Sequence, residues 1–333
     1  MSFKRLETDD FVISADAITG VCWDKGVTTL TTFFTSSTQA AASSGDYYLN
    51  IQDGPDSSTS ESVQFAIAYG NKVGSGSIPF NSGVTGKSPS STTYGQYRTM
   101  VNEDENTDFA FGDYTGTEFF AISIDRARYK ESLFPGSLNL HLSASEGEVV
   151  LTDNSKDVAS TTFVGSNRLF QIVSGSDGSA YSGTGYTSDS GSYGWFLPDI
   201  GTILLHPTAI SESIQLAPSY SVNSDGLNNR ALFNSINGTN AKSFRLNSEE
   251  TITSDYVFIR PRSSEFNYST NPSYISGSTG EVIYPLFINA PQTYITTVGL
   301  YNDNNELLAV AKLSRPLLKD FTKEALIRCK LDF

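Results

Sequence analysis

The C-terminal segment constrains the fold more than any other part of the chain. Two apolar, β-rich runs, residues 293–301 and 306–313, flank a polar turn of Asn and Asp at residues 302–305. Asn and Asp tolerate positive φ and hydrogen-bond their own backbone, so the segment predicts a hairpin. The run 324–333 then alternates apolar and polar side chains, which predicts one more strand, with Phe333 held in a sheet.

Composition and pattern both favour strands joined by turns. The chain is rich in Gly, Ser, Thr, Asn and Asp, and modest in Ala, Leu, Lys and Glu. Residues 63–69 and 119–124 predict central strands, the first of them apolar on both faces. Residues 227–236 are the best helix candidate, ended by Asn237-Gly238. We therefore predict a mainly β fold of sandwich-type antiparallel sheets, with long Gly/Ser/Tyr-rich loops and few short helices.

The turn-rich segments suggest how the chain is divided. We predict an N-terminal β domain over residues 1–220 and a C-terminal β domain over residues 221–333, which ends in the hairpin and terminal strand. Residues 70–93 have the composition of a long irregular loop, and residues 174–194 form a low-complexity Gly/Ser tract with interleaved tyrosines. A boundary near this tract, instead of near residue 221, is the other possibility.

Charge and the cysteines exclude several classes of protein. The formal net charge of −14 argues against nucleic-acid binding, which requires clustered Lys and Arg. No apolar run reaches the length of a signal peptide or a membrane span, so we expect no membrane insertion and synthesis in a cytoplasm. Cys22 and Cys329 each lie in an apolar run, which predicts two buried thiols; a disulfide between them is possible but has no support from spacing.

The sequence offers no catalytic or ligand-binding motif as a candidate site. His141 and His206 lack metal-ligand spacing, and no Gly-x-Ser-x-Gly motif occurs. The segment 83–88 is similar to a phosphate-binding loop, but it lacks the four-residue spacer, and we expect Pro89 to be a poor start for the following helix. No carboxylate pair can be singled out for glycoside hydrolysis. We therefore expect no catalytic residues, no cofactor and no metal.

The remaining features concern contact surfaces. Tyr and Trp offer a large contact area at a small entropic cost and are enriched at protein interfaces. Most of the aromatic side chains should nevertheless fill the β cores. The tyrosines that the pattern places in loops are the better interface candidates, and they are Tyr94, Tyr97, Tyr181, Tyr186 and Tyr193.

Many of the same segments resemble a known group of proteins. The chain is similar over most of its length to virion structural proteins of contractile-tailed bacteriophages (myoviruses), especially those of cyanobacteria. The segments that carry the resemblance are 33–39, 47–48, 66–70, 94–98, 121–130, 191–195, 298–301, 306–310 and 331–333. The order of strands and turn after residue 298 also resembles the β-domain that attaches tail-collar fibre proteins to the baseplate, although Asn302 to Asn305 replace the Asp-Gly turn usual there.

The resemblance implies a non-enzymatic virion component of the tail baseplate or tail periphery, assembled in the host cytoplasm. Its partners would be other virion proteins of the baseplate, tail or neck, and copies of itself in a cyclic assembly. Three alternatives stay open. A head-to-tail connector or capsid-surface protein fits the acidic balance less well. A receptor-binding module would recognise host glycan through exposed aromatic rings, and an enzyme such as a tail-associated glycan hydrolase would need a buried Asp/Glu pair in a cleft.

Overall fold

The computed structural model is mainly β, as the sequence predicts. It describes residues 3–35, 47–55, 62–77, 88–181, 191–221, 226–238, 243–269 and 271–332. The strands are β1 (Phe11–Val21), β2 (Thr29–Leu30), β3 (Leu49–Gln52), β4 (Val63–Asn71), β5 (Phe109–Phe111), β6 (Tyr114–Gly116), β7 (Glu118–Ile124), β8 (Ser132–Leu133), β9 (Asn139–Ala144), β10 (Gly147–Asp153), β11 (Thr162–Val164), β12 (Asn167–Ser176), β13 (Ser179–Ala180), β14 (Gly194–Leu197), β15 (Thr202–Leu205), β16 (Phe244–Arg245), β17 (Asn247–Ile259), β18 (Thr293–Tyr301), β19 (Leu307–Lys319) and β20 (Ile327–Asp332). The α-helices are α1 (Pro89–Asn102), α2 (Pro207–Ile214), α3 (Leu227–Ile236) and α4 (Pro285–Asn289).

The chain forms two compact units whose boundaries differ from those predicted. Unit 1 combines Met1–Ala17 with Thr251–Phe333, and unit 2 is Ile18–Glu250. The predicted boundary at residue 220 lies inside unit 2, because Leu232 of α3 and Phe244 of β16 belong to the same hydrophobic core as the strands before them. The turn-rich composition near residue 221 therefore marks a connection within one unit, and the N-terminal segment belongs with the C-terminal strands.

Unit 2 is built on one large antiparallel sheet that curls until its two ends meet. The strand order is β2-β16-β9-β10-β12-β14-β15-β7-β4-β3. Phe34, which follows β2, and Gln52 of β3 exchange two backbone hydrogen bonds of 2.9 and 2.8 Å. The rings of Phe65 in β4 and Phe244 in β16 lie 5.3 Å apart, although nearly the whole sheet separates these strands along its hydrogen-bonded order.

Helices α2 and α3 fill the concave side of this sheet. Ile210 of α2 and Leu232 of α3 are fully buried in the same cluster as the inward-facing residues of the strands. Along β9, Leu140 and Leu142 point into this cluster while His141 lies between them, as the alternation predicts. Helix α3 has the predicted bounds.

The outer face of the central strands is covered by α1 and the β5–β6 hairpin. Phe119 of β7 and Trp195 of β14 pack there against Tyr94 and Phe109. Both faces of the central strands are therefore buried, which confirms the double-sided apolar pattern predicted for residues 63–69.

Helix α1 corrects the prediction of a continuous loop over residues 70–93. Ser88 precedes the helix, and its backbone N–H donates to the Ser91 hydroxyl at 3.2 Å. Pro89 occupies the first helical position, where proline is favoured because its fixed φ suits the helix and no N–H is needed. The expectation that Pro89 would be a poor helix start was therefore wrong.

Unit 1 is a small β sandwich. One layer contains β1, β17 and β20, in that order, and the other is the two-stranded β18–β19 sheet. Val257, Ile327 and Cys329 form the buried centre, against which the inner face of the β18–β19 hairpin packs. Both the hairpin and the alternation of β20 confirm the sequence prediction. Phe333 lies outside the described residues.

Candidate functional site

Three of the predicted interface tyrosines serve the core of unit 2. Tyr94 is 2% exposed, and its hydroxyl donates to the Gly116 carbonyl at 2.9 Å. Tyr193 is 4% exposed and shares a hydrogen bond with Ser213. Tyr97 is half-buried on α1, where its ring contacts Phe119. Placing Tyr94 and Tyr97 in a loop was wrong, because both lie on helix α1, and Tyr193, directly before β14, is buried instead of accessible.

The other two candidates have different outcomes. Tyr181 follows β13 and is exposed, so its side chain is accessible. Tyr186 lies outside the described residues. The helical spacing of Tyr94 and Tyr97 was the signal that could have separated core from surface, because residues three apart share one helix face.

Two titratable groups of unit 2, Cys22 and His206, are buried in its interior. Cys22 is buried and free, and burial raises the pKa of its thiol to about 12. The His206 ring packs against the rings of Phe111 and Tyr114, with centroids 5.3 and 5.4 Å away, and burial lowers its pKa to about 4. Within the described ranges, no three His, Cys, Asp or Glu side chains come together in a way that could hold a metal ion. Most of the segment similar to a phosphate loop, residues 83–87, falls outside those ranges.

Unit 2 has two concave regions that differ in size and lining. A polar cavity of about 10 Å³ beside Tyr69, Ser90 and Asn228 has room for a single water molecule. A wider, open groove of about 440 Å³ is lined by residues 18–21 and 127–130 and by the Lys130–Glu250 ion pair. Neither of these two regions is lined by a pair of carboxylates.

The exposed large apolar side chains are concentrated on unit 1. It holds fewer than a third of the residues, yet it carries seventeen of the thirty large apolar side chains that are exposed in the described chain. These seventeen are Phe3, Phe11, Val12, Ile13, Tyr268, Tyr274, Ile283, Tyr284, Leu286, Ile288, Tyr294, Tyr301, Leu307, Leu308, Val310, Phe321 and Leu326. Exposed apolar side chains at this density mark interaction surfaces.

The outer face of the β18–β19 hairpin carries one continuous part of this surface. The cross-strand pairs Tyr301–Leu307 and Gly299–Val310 point outward, whereas the pair between them, Leu300–Ala309, points into the sandwich. The Tyr301 ring covers Gly299 and meets the ring of Phe3 at 5.4 Å. We call Phe3, Tyr301, Leu307, Leu308 and Val310 the hairpin patch.

A second part of the surface is a projection that we call the arm, residues 271–290. A β-bridge between Ile275 and Val282 closes it, and α4 follows. The Tyr274 ring packs against Tyr284 and Phe287, with ring centroids 6.0 and 5.5 Å apart. The most exposed of its large apolar side chains are those of Leu286 (83%) and Ile288 (63%). The arm is thus braced internally while it presents aliphatic side chains to its surroundings.

Strand β1 adds an open sheet edge. It is the terminal strand in the order β1-β17-β20, and Phe11, Val12 and Ile13 are three consecutive exposed apolar residues on it. A long apolar edge strand readily pairs with another chain unless something covers it. The run of three apolar residues is the sequence signal that could have located this surface.

The two units differ in net charge. Unit 2 carries 24 acidic and 12 basic residues, a net charge of −12, whereas unit 1 carries 12 acidic and 10 basic residues, a net charge of −2. Like charges repel approaching copies of a protein, so close association is electrostatically easier through unit 1. A small net charge, exposed apolar side chains and an open sheet edge all occur in this unit.

Comparison with known proteins gives no relative. No protein-family model matches the chain, and no curated protein and no solved structure is detectably similar to it. Among the described helices, none has both the length and the apolar character needed to cross a membrane.

Proposed function

We propose that this chain is a non-enzymatic structural component of a contractile-tailed phage particle, placed at the tail baseplate or tail periphery, and that unit 1 makes its assembly contacts. The sequence resemblance suggests the particle. The apolar surface of unit 1 suggests how the chain assembles, because exposed apolar side chains at this density are typical of a surface that a partner subunit covers.

The single observation that carries the proposal is the contrast between the two units. In unit 2 the apolar side chains converge on continuous cores on both faces of its sheet. In unit 1 three apolar side chains make up the buried cluster, and seventeen large ones are exposed. A small domain gains little stability from so small a core, and covering its exposed face with a neighbouring subunit would supply the missing burial.

Two modes of contact are available to unit 1. The open edge of β1 can accept a strand from a neighbour, with main-chain hydrogen bonds providing affinity. The arm can insert Leu286 and Ile288 into a groove of a neighbouring protein. Both modes use preformed elements, so binding requires little additional ordering.

Particle incorporation tests this proposal. The variant Leu286→Ser/Ile288→Ser should fold normally but fail to enter the particle when it replaces the original chain, and the matched control Phe163→Ser, on the exposed face of β11 in unit 2, should be incorporated. Mass spectrometry of purified particles measures both. Full infectivity of phage that lacks the chain would overturn the proposal.

A second candidate, recognition of host glycan, is favoured by one observation. Tyr268, Tyr274 and Tyr284 are exposed near one another in sequence on and beside the arm, and aromatic faces bind sugar rings. A glycan array probed with the full chain distinguishes the two functions. Binding that is lost in Tyr284→Ala but kept in Leu286→Ser would support glycan recognition.

A further inference from the structure

We infer that β1 of one copy of this chain pairs with β20 of a second copy, so that the unit 1 sheets of successive copies join. This pairing rests on the proposed assembly role of unit 1 and names its first partner, the same chain. The two open edges of one sheet carry it, because they have opposite free charges and because one of them has an uncovered apolar face.

The sheet β1-β17-β20 has an open edge on each side. Within the described part of the chain, β17 is the strand that pairs with β1 and also the strand that pairs with β20 at residues 254–259. The outer backbone groups of both edge strands are therefore available for further pairing. Strand β20 is six residues long, and the part of β1 in unit 1, residues 11–17, is seven, so the two edges match in length.

Contacts of β1 show which of its side chains share a face. A side chain at Gly20 would come within 3.0 Å of the Ser248 hydroxyl oxygen, so even-numbered residues of β1 and β17 lie on one face. That face, which we call the outer face, also carries Lys330 of β20, whose cross-strand partner has an even number. The Asp332 carboxylate is the main group that raises the pKa of Lys330, and the charge of Asp16 adds to this effect, which agrees with a place for Asp16 on the same face.

The opposite, inner face of β1 is apolar and uncovered. It carries Phe11 and Ile13, which are 49% and 73% exposed. Val257 and Cys329 point to the same side from the other two strands, and they are buried against the β18–β19 hairpin. Beside β20 of a second copy, Phe11 and Ile13 would lie next to apolar side chains that are already buried. Removing them from water in this way favours association.

The outer face supplies a complementary pair of charges. Asp16 is the one charged residue of β1, and Arg328 of β20 holds its guanidinium group 5.5 Å from the centre of the Tyr256 ring. Among the described residues, neither Asp16 nor Arg328 forms an ion pair, whereas Lys330 is paired with Asp332. Pairing of β1 with β20 brings the two free charges onto adjacent strands, about 5 Å apart. Pairing of two β1 strands would offer Asp16 no cation, because β1 carries no basic residue.

A contact between two different edges is heterologous. Each copy that joins leaves one β1 edge and one β20 edge open at the ends of the series, until the last copy meets the first. The product is a ring if the rotation between copies closes. A sheet that continues around such a ring has no open edge left to pair with other chains.

Sedimentation equilibrium of the full chain tests this pairing at about 0.1 M salt, where screening still permits close charges to act. We expect an oligomer whose population rises with protein concentration. Asp16→Arg and Arg328→Asp should each weaken it about tenfold, because each variant presents like charges on its two edges. An equimolar mixture of the two variants should assemble again, since each variant offers the charge that the edges of the other require.

Two further variants complete the experiment. Ile13→Asp should weaken the oligomer about a hundredfold, because it places a charge in the buried apolar row, and Phe163→Ser, on unit 2, should leave it unchanged. A protein that stays monomeric up to about 100 μM, an oligomer insensitive to Ile13→Asp, or a mixture that does not assemble would each overturn the inference.

The result also separates this pairing from the proposed function. A monomer that still enters particles would overturn the pairing and leave the proposed function standing. An oligomer with the expected response to the variants, formed by a chain without which phage stays fully infectious, would support the pairing and overturn the proposed function.

Discussion

The Nζ atom of Lys319 lies 2.9 Å from the side-chain oxygen of Asn267, and both residues are buried in unit 1. The same ammonium group donates to the backbone carbonyls of Ser263 and Asp320, each at 2.9 Å. All three donors of the lysine are thus used, and they join the end of β19 to the loop after β17. In a unit with so few buried apolar side chains, these three hydrogen bonds of Lys319 are a principal structural contact.

We expect Lys319→Met to destabilise unit 1 by about 2 kcal/mol, since it leaves the buried side-chain oxygen of Asn267 without a donor and removes one of the two hydrogen bonds that the Ser263 and Asp320 carbonyls each accept. Hydrogen exchange of the β18–β19 amides measures the free energy of opening. Lys323→Met, at an exposed lysine near Asp320, is the control and should change it by less than about 0.5 kcal/mol. Equal exchange rates in both variants would contradict the assigned role of Lys319.

A second prediction concerns the meeting of the two sheet ends in unit 2. The Phe65 ring contacts Trp23, Phe33 and Phe244. Phe65→Ala should lower the free energy of unfolding by about 4 kcal/mol. The rings around Phe65 come from both ends of the closed sheet, so neither end can move in independently to fill the cavity that the lost ring leaves. Urea denaturation gives the value. Phe163→Ala, which truncates an exposed ring, should have little effect, and a similar loss in both variants would argue against closure of the sheet.

The third prediction is a pH dependence centred on His206. The folded protein keeps this imidazole neutral down to about pH 4, whereas the unfolded chain takes up the proton near pH 6.5. The unfolded state therefore binds more protons between these values, and stability falls as the pH is lowered through that window, by up to about 3 kcal/mol. His206→Phe removes the titrating group and retains contact with the neighbouring rings.

Denaturation curves of both proteins at pH 7, 5.5 and 4 check this. The stability difference should move in favour of His206→Phe as the pH falls. A difference that does not vary with pH would show that His206 titrates alike in the folded and unfolded states.

The fourth prediction separates the arm from the fold. Leu286→Ser/Ile288→Ser should leave the thermal midpoint nearly unchanged, because both side chains are exposed and contribute little burial. The variant should bind less of a dye that reports exposed apolar surface. Fluorescence titration measures this, with Phe163→Ser as the matched control. A drop in the thermal midpoint comparable to that of Phe65→Ala would show that the arm packs within its own chain.

The elements that the sequence predicted correctly are those whose type follows from the spacing of buried apolar side chains alone. The double-sided apolar run at residues 63–69, the helix at residues 227–236 and the alternation of β20 were all confirmed. In each case, the spacing of apolar side chains matches the period of the element, so that the local pattern and the long-range packing agree.

What the sequence missed depends on contacts between distant segments. Helix α1 contains Gly95 and several Ser and Thr residues, which are weak helix formers, and packing of Tyr94 against Phe119 stabilises it instead. The unit boundary was misplaced because β1 joins strands more than two hundred residues later in the chain. The site candidates followed tyrosine content in turn-rich segments, whereas the exposed apolar surface lies on strands and on the arm.

The discontinuous composition of unit 1 has a consequence for synthesis. Its first sheet needs β1, which is translated before most of unit 2, and β20, which is translated after it. Unit 2 is contained in the intervening stretch and can fold while translation continues. The sheet of unit 1 is therefore completed only after the whole of unit 2 has been translated, so its exposed apolar side chains are assembled into a folded surface when the larger, well-packed unit can already exist.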